Sequence, residues 1–404
     1  MAFKFFLMFN PFGWETISEP IKMAGRRTDR YQHALDQLVL HAKVADEAGF
    51  EGVFFSEQHG NIEGIPEVTA NPILMDMFVA AHTEHLKVGQ LGMTLPVSNP
   101  LLIADQIAHL DQLTKGRAMA GFARGNTPRW ADQYGQHIPM RATRSDKSEE
   151  DERNLRALKE CWQIIKLAWT QDSFSFDGEF WKFPLPGTKW TYPHTKTWGT
   201  GVDAEENLLG VSIAPGPMQS PHPRVFAPMS GRSDTVRFWA REGATIMCLT
   251  PREDLIAGML NVYAEAASDA GRNPVRGEGI ITGGTFVVAD DERTVRARAE
   301  AMAEWDTMVY SVPPYNLPHP LTLNGTPQQI IDQIGRIHDS LGLTEFVLTD
   351  YFPAPHGSGV ALEMLQCFAE EVLPAFVVKP PNAGNGSGVA RTEQFVGAGD
   401  ARQP

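Results

Sequence analysis

Cysteine is scarce: Cys161, Cys248 and Cys367 are the only three in 404 residues, and none lie in a C-x-x-C pair. A disulfide framework and a thiolate zinc site are therefore not expected. Positive charge is also short, since 35 Lys and Arg against 49 Asp and Glu leave 35 − 49 = −14. A surface this acidic repels phosphate backbones, so nucleic acid is not an expected partner. No run approaches the roughly 18 apolar residues of a membrane span. The apolar stretch from Met1 to Asn10 reaches Pro11 with no basic leader or small-residue cleavage site, and reads as a buried strand instead of a signal peptide. Phosphate-loop, complete dinucleotide-fingerprint, G-x-S-x-G and H-E-x-x-H motifs are all missing. No metal site is expected: His82 and His85, three apart, fit the stabilisation of a helix C-terminus better. What remains is a cytoplasmic protein with reduced thiols and no membrane partner.

Apolar material is ample, at 42% hydrophobic residues with 22 Phe and 9 Trp. It gathers in eight short runs, residues 4–9, 52–56, 86–94, 118–123, 225–229, 244–249, 279–288 and 345–349. These are too short for helices and suit strands buried on both faces. Helix-period segments alternate with them. Leu35, Leu38, Ala42 and Ala45 form one stripe that ends at Gly49. Ile103, Ile107 and Leu110 form another after Pro100, with Lys115-Gly116-Arg117 as a basic last turn and terminator. Ser233-Asp234-Thr235, Thr250-Pro251 and Thr326-Pro327 read as helix N-caps. The pattern predicts an α/β fold, a (βα)8 TIM barrel, with a doubly wound open sheet as the competitor. One domain is expected over residues 1–378, with a disordered tail over 379–404. The stretches 126–146, 171–224 and 308–325 are long enough to be lids or pocket walls.

In such a barrel, polar residues just past a strand face the catalytic mouth. The second run ends in Glu57-Gln58-His59, and a carboxylate beside an imidazole on an apolar strand is costly unless used or satisfied. The fourth run leads into Arg124-Gly125, a guanidinium suited to phosphate. The fifth leads into Met229-Ser230-Gly231-Arg232-Ser233-Asp234-Thr235, a small-residue loop opening a helix, which is a second anion site. Gly89 and Gly92 in the third run predict close approach by another backbone or a flat ligand.

Taken in order, Ala45-Asp46-Glu47-Ala48-Gly49-Phe50, Ser56-Glu57-Gln58-His59, Asn71-Pro72, Leu95-Pro96, Leu110-Asp111-Gln112-Leu113, Lys115-Gly116-Arg117, Arg124-Gly125, Gly325-Thr326-Pro327 and Glu371-Val372-Leu373-Pro374 resemble the luciferase-like flavin monooxygenase family. A weaker likeness, through Asp177-Gly178-Glu179-Phe180, is to its members acting on cyclic ketones and terpenoids. The resemblance implies reduced FMN as cofactor, supplied by a separate flavin reductase, and a homodimer. It implies cofactor contacts from Leu91, Gly92, Thr94, Arg124, Gly125, Ser230, Gly231, Ser233 and Thr235, with a cis peptide at Leu91-Gly92. It implies O₂ chemistry through a flavin C4a-peroxide that oxygenates a small organic substrate, a ketone giving an ester or lactone. His59 then becomes the proton donor or acceptor, Glu57 orients it, and Gln58 is a hydrogen-bonding group. Gln58 departs from luciferase, whose catalytic histidine occupies that position; an amide takes no proton near neutral pH. Trp130, Trp181 and Tyr315 are candidate pocket walls. A deazaflavin-dependent hydride-transferring oxidoreductase, a glycosidase pairing Glu57 with Asp350, and a non-enzymatic flavin-binding protein are the rival expectations.

Overall fold

Eight strands pair in parallel in chain order: β1 (Lys4–Pro11), β2 (Gly52–Phe55), β3 (Lys87–Gln90), β4 (Ala118–Ala123), β5 (Arg224–Pro228), β6 (Thr245–Cys248), β7 (Ile280–Val288) and β8 (Glu345–Phe352). The ring closes where β8 returns to β1, with Lys4 opposite Glu345 and Phe9 opposite Asp350. This computed structural model describes residues 2–377 except 14, 17, 19–20, 63, 65–68, 144, 229–231, 314–318 and 353–354. The expected tail over 379–404 lies outside the described residues. Each strand falls on one of the eight apolar runs, and the closed barrel replaces the open-sheet alternative.

Both faces of the strands are buried, which is why they read as nearly continuous apolar runs. Phe5, Leu7 and Phe9 of β1 join the layer between sheet and helices, while Phe6 turns inward. Inside the ring, Phe6, Phe54, Leu91, Met119, Phe226, Met247, Ile281 and Val347 pack as a separate cluster. Phe54 meets Phe226 at 4.8 Å between ring centroids, and Phe6 meets Phe54 at 5.4 Å. The interior is therefore plugged, and polar chemistry is left to the rim formed by the strands' C-terminal ends.

The connecting helices are α1 (Thr28–Ala48), α2 (Pro72–Ala80), α3 (Pro100–Leu113), α4 (Pro128–Tyr134), α5 (Glu149–Thr170), α6 (Ser233–Glu242), α7 (Glu253–Asp269), α8 (Glu292–Val309), α9 (Pro327–Leu341) and α10 (Ser358–Cys367). Gly49 ends α1 in the left-handed region (φ 91°), and Thr326 forms a capping box with Gln329 at α9, as the sequence predicts. Other caps differ. α6 and α7 begin after Arg232 and Arg252, so neither Ser233 nor Thr250 is the cap. α3 stops at Leu113, and Lys115-Gly116 form a left-handed turn beyond it. Arg117 is not in a last turn; it donates to the carbonyls of Ala80, Leu86 and Thr114. The stretch 126–146 holds α4, and 171–224 carries a small hairpin pairing Phe176 with Phe183. The stretch 308–325 ends in a strand, Leu321–Gly325, beside the second half of β7. Past α2, the imidazole of His82 bonds the Phe78 carbonyl at 2.8 Å, in keeping with a helix-end role. No described helix is long and apolar enough to cross a membrane.

Behind β3, fully buried Asp76 accepts from the side-chain amide of Gln90 and forms no ion pair among the described residues. Burial pushes its carboxyl well above the ordinary 3.8. The folded chain thus keeps a proton that the unfolded chain releases, so this group costs stability increasingly as pH rises above 3.8 toward the raised value. Asp76→Asn preserves the shape and pairs amide with amide. Relative to the parent, it is expected to gain about 1.4 kcal/mol per pH unit over that range. Denaturant unfolding from pH 3 to pH 8 checks this; a difference that does not shrink in acid contradicts it.

Candidate functional site

β2 ends at Phe55, and the residues that follow form the rim. The Glu57 carboxylate does two things there. One oxygen accepts the Thr94 backbone N–H at 2.7 Å, and the other lies 3.1 Å from Nε2 of His59. The His59 ring packs on Trp130 and Tyr134 of α4, at 5.1 and 4.8 Å between centroids. Gln58 faces the same helix: its side-chain carbonyl accepts from Arg129 at 2.8 Å, and a second Arg129 N–H donates to the His59 carbonyl. Arg129 thereby clamps the Gln58-His59 segment from one side while Glu57 ties it to the end of β3.

That neighbouring segment holds the Leu91-Gly92 peptide in the cis form. Leu91, Gly92 and Thr94 are all buried. A Cβ on Gly92 would lie 2.9 Å from the Phe122 backbone nitrogen, and one on Gly125 would lie 2.3 Å from the Thr94 methyl. A Cβ on Gly89 would lie 2.8 Å from the Met119 carbonyl oxygen, so the close approach predicted for Gly89 and Gly92 is made by the backbone of β4. Gly125 also needs its left-handed φ of 74°.

Arg124 and Arg232, the residue before α6, converge on one carboxylate, although more than 100 residues separate them in the chain. Arg124 donates to the Asp151 carboxylate at 2.6 Å and to Asn154 at 3.0 Å, and Arg232 reaches the other oxygen of the same carboxylate. The Thr143 hydroxyl also donates to Asp151, as do the backbone N–H groups of Ser145 and Lys147, both at 3.1 Å. Burial works against ionised Asp151, but these donors and the two guanidiniums hold its carboxyl below the ordinary 3.8. Arg232 further pairs with Glu152 and with Asp234, the latter at 3.2 Å. Beside it, Thr235 is buried in the first turn of α6, and its hydroxyl has no hydrogen-bond partner among the described residues. Ser233 is exposed. Ser230 and Gly231 lie outside the described residues.

Of the residues singled out in the sequence, Glu57, His59 and Thr94 are joined directly, Gln58 adjoins them, and Arg124 meets the Arg232–Thr235 region through Asp151. Asp350 faces α1, 2.7 Å from His41, whereas the Glu57 carboxylate is turned to Thr94 and His59. Trp130 is buried, Trp181 stacks on Phe183 in the hairpin, and Tyr315 lies outside the described residues. Asp151, Asn154, Arg129 and Arg232 were missed as partners. Asp151 sits in an acidic helix start, Glu149-Glu150-Asp151-Glu152, whose pattern reads as solvated charge. Also missed was a second aromatic rim, where Trp305 packs edge-on against Phe12 at 4.8 Å and Tyr310 stacks on Tyr351 at 6.2 Å. Beside Trp305, burial pushes the Asp306 carboxyl up to about 6.

The luciferase-like monooxygenase family profile matches residues 1–344. The 3,6-diketocamphane 1,6-monooxygenase of Pseudomonas putida is 22% identical over 298 residues, 74% of this chain and 74% of that protein. A solved structure of the oxygenating constituent of 3,6-diketocamphane monooxygenase from the CAM plasmid of Pseudomonas putida, a type II Baeyer-Villiger monooxygenase in complex with FMN, superposes with a TM-score of 0.68. Its identity is 19%, and the match covers 94% of this chain and 100% of that one. The coenzyme F420 dependent tetrahydromethanopterin reductase from Methanopyrus kandleri gives a TM-score of 0.60 at 14% identity, covering 93% of this chain and 100% of that one.

The burial of Arg124 gives a direct test of the network. An exposed loop arginine contributes almost nothing to stability, whereas removing one partner of a buried pair is costly. Arg124→Met is expected to lower unfolding free energy by about 3 kcal/mol at pH 7. Because the Asp151 carboxyl is lowered in the fold, this contribution is present above pH 3.8 and fades as pH falls through and below that value. Urea unfolding at pH 7 and pH 3 measures both; a loss under 0.5 kcal/mol would return Arg124 to the status of a surface residue.

Proposed function

The chain belongs to the luciferase-like monooxygenase family, a flavin-dependent class of enzymes, and from that premise we propose that it oxygenates a small ketone with reduced FMN and O₂, the flavin arriving from a separate reductase. The observation that carries this reading is the meeting of Arg124 and Arg232 at one end of the rim, next to the N-terminus of α6 and the hydroxyl of buried Thr235, which has no partner among the described residues. A buried hydroxyl without a partner is costly in a finished fold, and a helix N-terminus favours an anion. These residues fit a phosphate, and Thr94, bonded to Glu57 and lying against Gly125, links the two ends of the rim, so a flat ring system would lie along it beside His59.

Reduced FMN, when bound, supplies the two electrons that let one oxygen atom enter the substrate while the other leaves as water. The remaining work falls to the protein. His59 holds or moves a proton at its ring nitrogens, with Glu57 fixing Nε2 from 3.1 Å. Gln58 orients by hydrogen bonding and carries no proton. Trp130 and Tyr134 pack against the imidazole and help to fix its orientation.

The test supplies reduced FMN, O₂ and a ketone panel, with binding of FMN, riboflavin and a deazaflavin measured in parallel. Ester or lactone formation is expected, along with FMN binding that Thr235→Val weakens by about fivefold without loss of stability, since one hydrogen bond is worth roughly 1 kcal/mol. Deazaflavin binding with hydride transfer and no O₂ uptake would replace this reading with the reductase one. FMN binding without substrate-dependent O₂ uptake would leave a flavin-binding protein.

A homodimer belongs to the same proposal. Leu74 of α2 and Leu102 and Leu113 of α3 are 66%, 55% and 66% exposed, an apolar face on neighbouring helices. Sedimentation is expected to give twice the 44.6 kDa chain mass, and Leu102→Glu to halve it. A monomeric parent chain refutes the dimer.

A further inference from the structure

Around the two arginines the charge is already more than balanced. Arg124 and Arg232 bring two positive charges, while Asp151, Glu152 and Asp234 bring three negative ones in direct contact with them. The side chains of Arg124, Arg232 and Asp151 are 10%, 8% and 1% exposed, so solvent screens little of this. Asp151 has no freedom to swing aside for a ligand. Besides the arginines it is held by the Thr143 hydroxyl and by the N–H groups of Ser145 and Lys147, and its own N–H is capped by Ser148 at 3.2 Å.

We propose that Asp151 is a specificity-determining residue of this site: a resident carboxylate that takes up both arginines in advance and keeps the grip on a flavin phosphate weak. The inference rests on the flavin reading above. A phosphate entering beside Arg124 and Arg232 must share them with a fixed anion. It is then held mainly by neutral donors, the Thr235 hydroxyl and the α6 N-terminus. A chain that takes reduced flavin from elsewhere and returns the oxidised form gains from such loose binding, because turnover requires release.

Parallel fluorescence titrations of the full chain with FMN and with riboflavin isolate the contribution of the phosphate as the ratio of the two dissociation constants. Asp151→Asn retains the shape and most of the accepted hydrogen bonds but removes the charge. It is expected to raise the preference for FMN about tenfold while leaving riboflavin unchanged, the effect of removing one nearby like charge. Glu152→Gln touches only Arg232 from a half-exposed position and is expected to shift the ratio in the same direction by less. A ratio that stays flat or falls in a folded Asp151→Asn chain overturns the proposal, as that result makes Asp151 a support for the arginines. If circular dichroism shows that Asp151→Asn does not fold, a flat ratio in Glu152→Gln overturns it instead. A parent chain that binds neither flavin defeats the functional reading itself; one that binds FMN with a flat variant ratio defeats this inference alone.

Discussion

Closure of the parallel sheet is the constraint on which everything else depends. Once β8 pairs with β1, every strand points the same way around a ring, and the residue after each strand is delivered to one rim. Phe6, Phe54 and Phe226 fill the centre beneath it. Water-soluble chemistry is confined to that rim because the plugged interior has no room for it and no partners for polar groups. Glu57 and Thr94, 37 residues apart in the chain, thereby become hydrogen-bonded neighbours.

Within the rim, fixed partners matter more than net charge. The chain carries −14 overall, yet one end of the rim is organised by two guanidiniums converging on one buried carboxylate. The same economy appears at Glu57, where a single carboxylate secures a backbone N–H and an imidazole. Both carboxylates are almost completely buried, with side-chain exposures of 1% and 7%, so their attractions are little screened and their positions well determined.

Much of the fold was legible in the sequence. Strands buried on both faces must be apolar throughout, and that necessity wrote eight recognisable runs. Gly49 and Thr326 were legible as helix boundaries because left-handed backbone and capping geometry restrict residue choice so strongly. Ser233 and Thr250 misled because cap preference is only a preference: at both helices the backbone turned at an arginine instead. In the site, Glu57, His59 and Arg124 stood out as polar residues directly following apolar strands. Arg129 and Asp151 did not, since each lies in a helix whose local pattern resembles an ordinary solvated face.

The sequence by itself determined the eight buried strands, their alternation with helices and the polar segments that follow them, because hydrophobic periodicity and strand ends are local properties of the chain; closure into a ring instead of an open sheet came from the tertiary structure. Only the tertiary structure decided which charges meet. Arg124 and Arg232 lie 27 and 81 residues from Asp151. An ion pair requires contact within a few ångströms, and no local pattern in the chain encodes that distance.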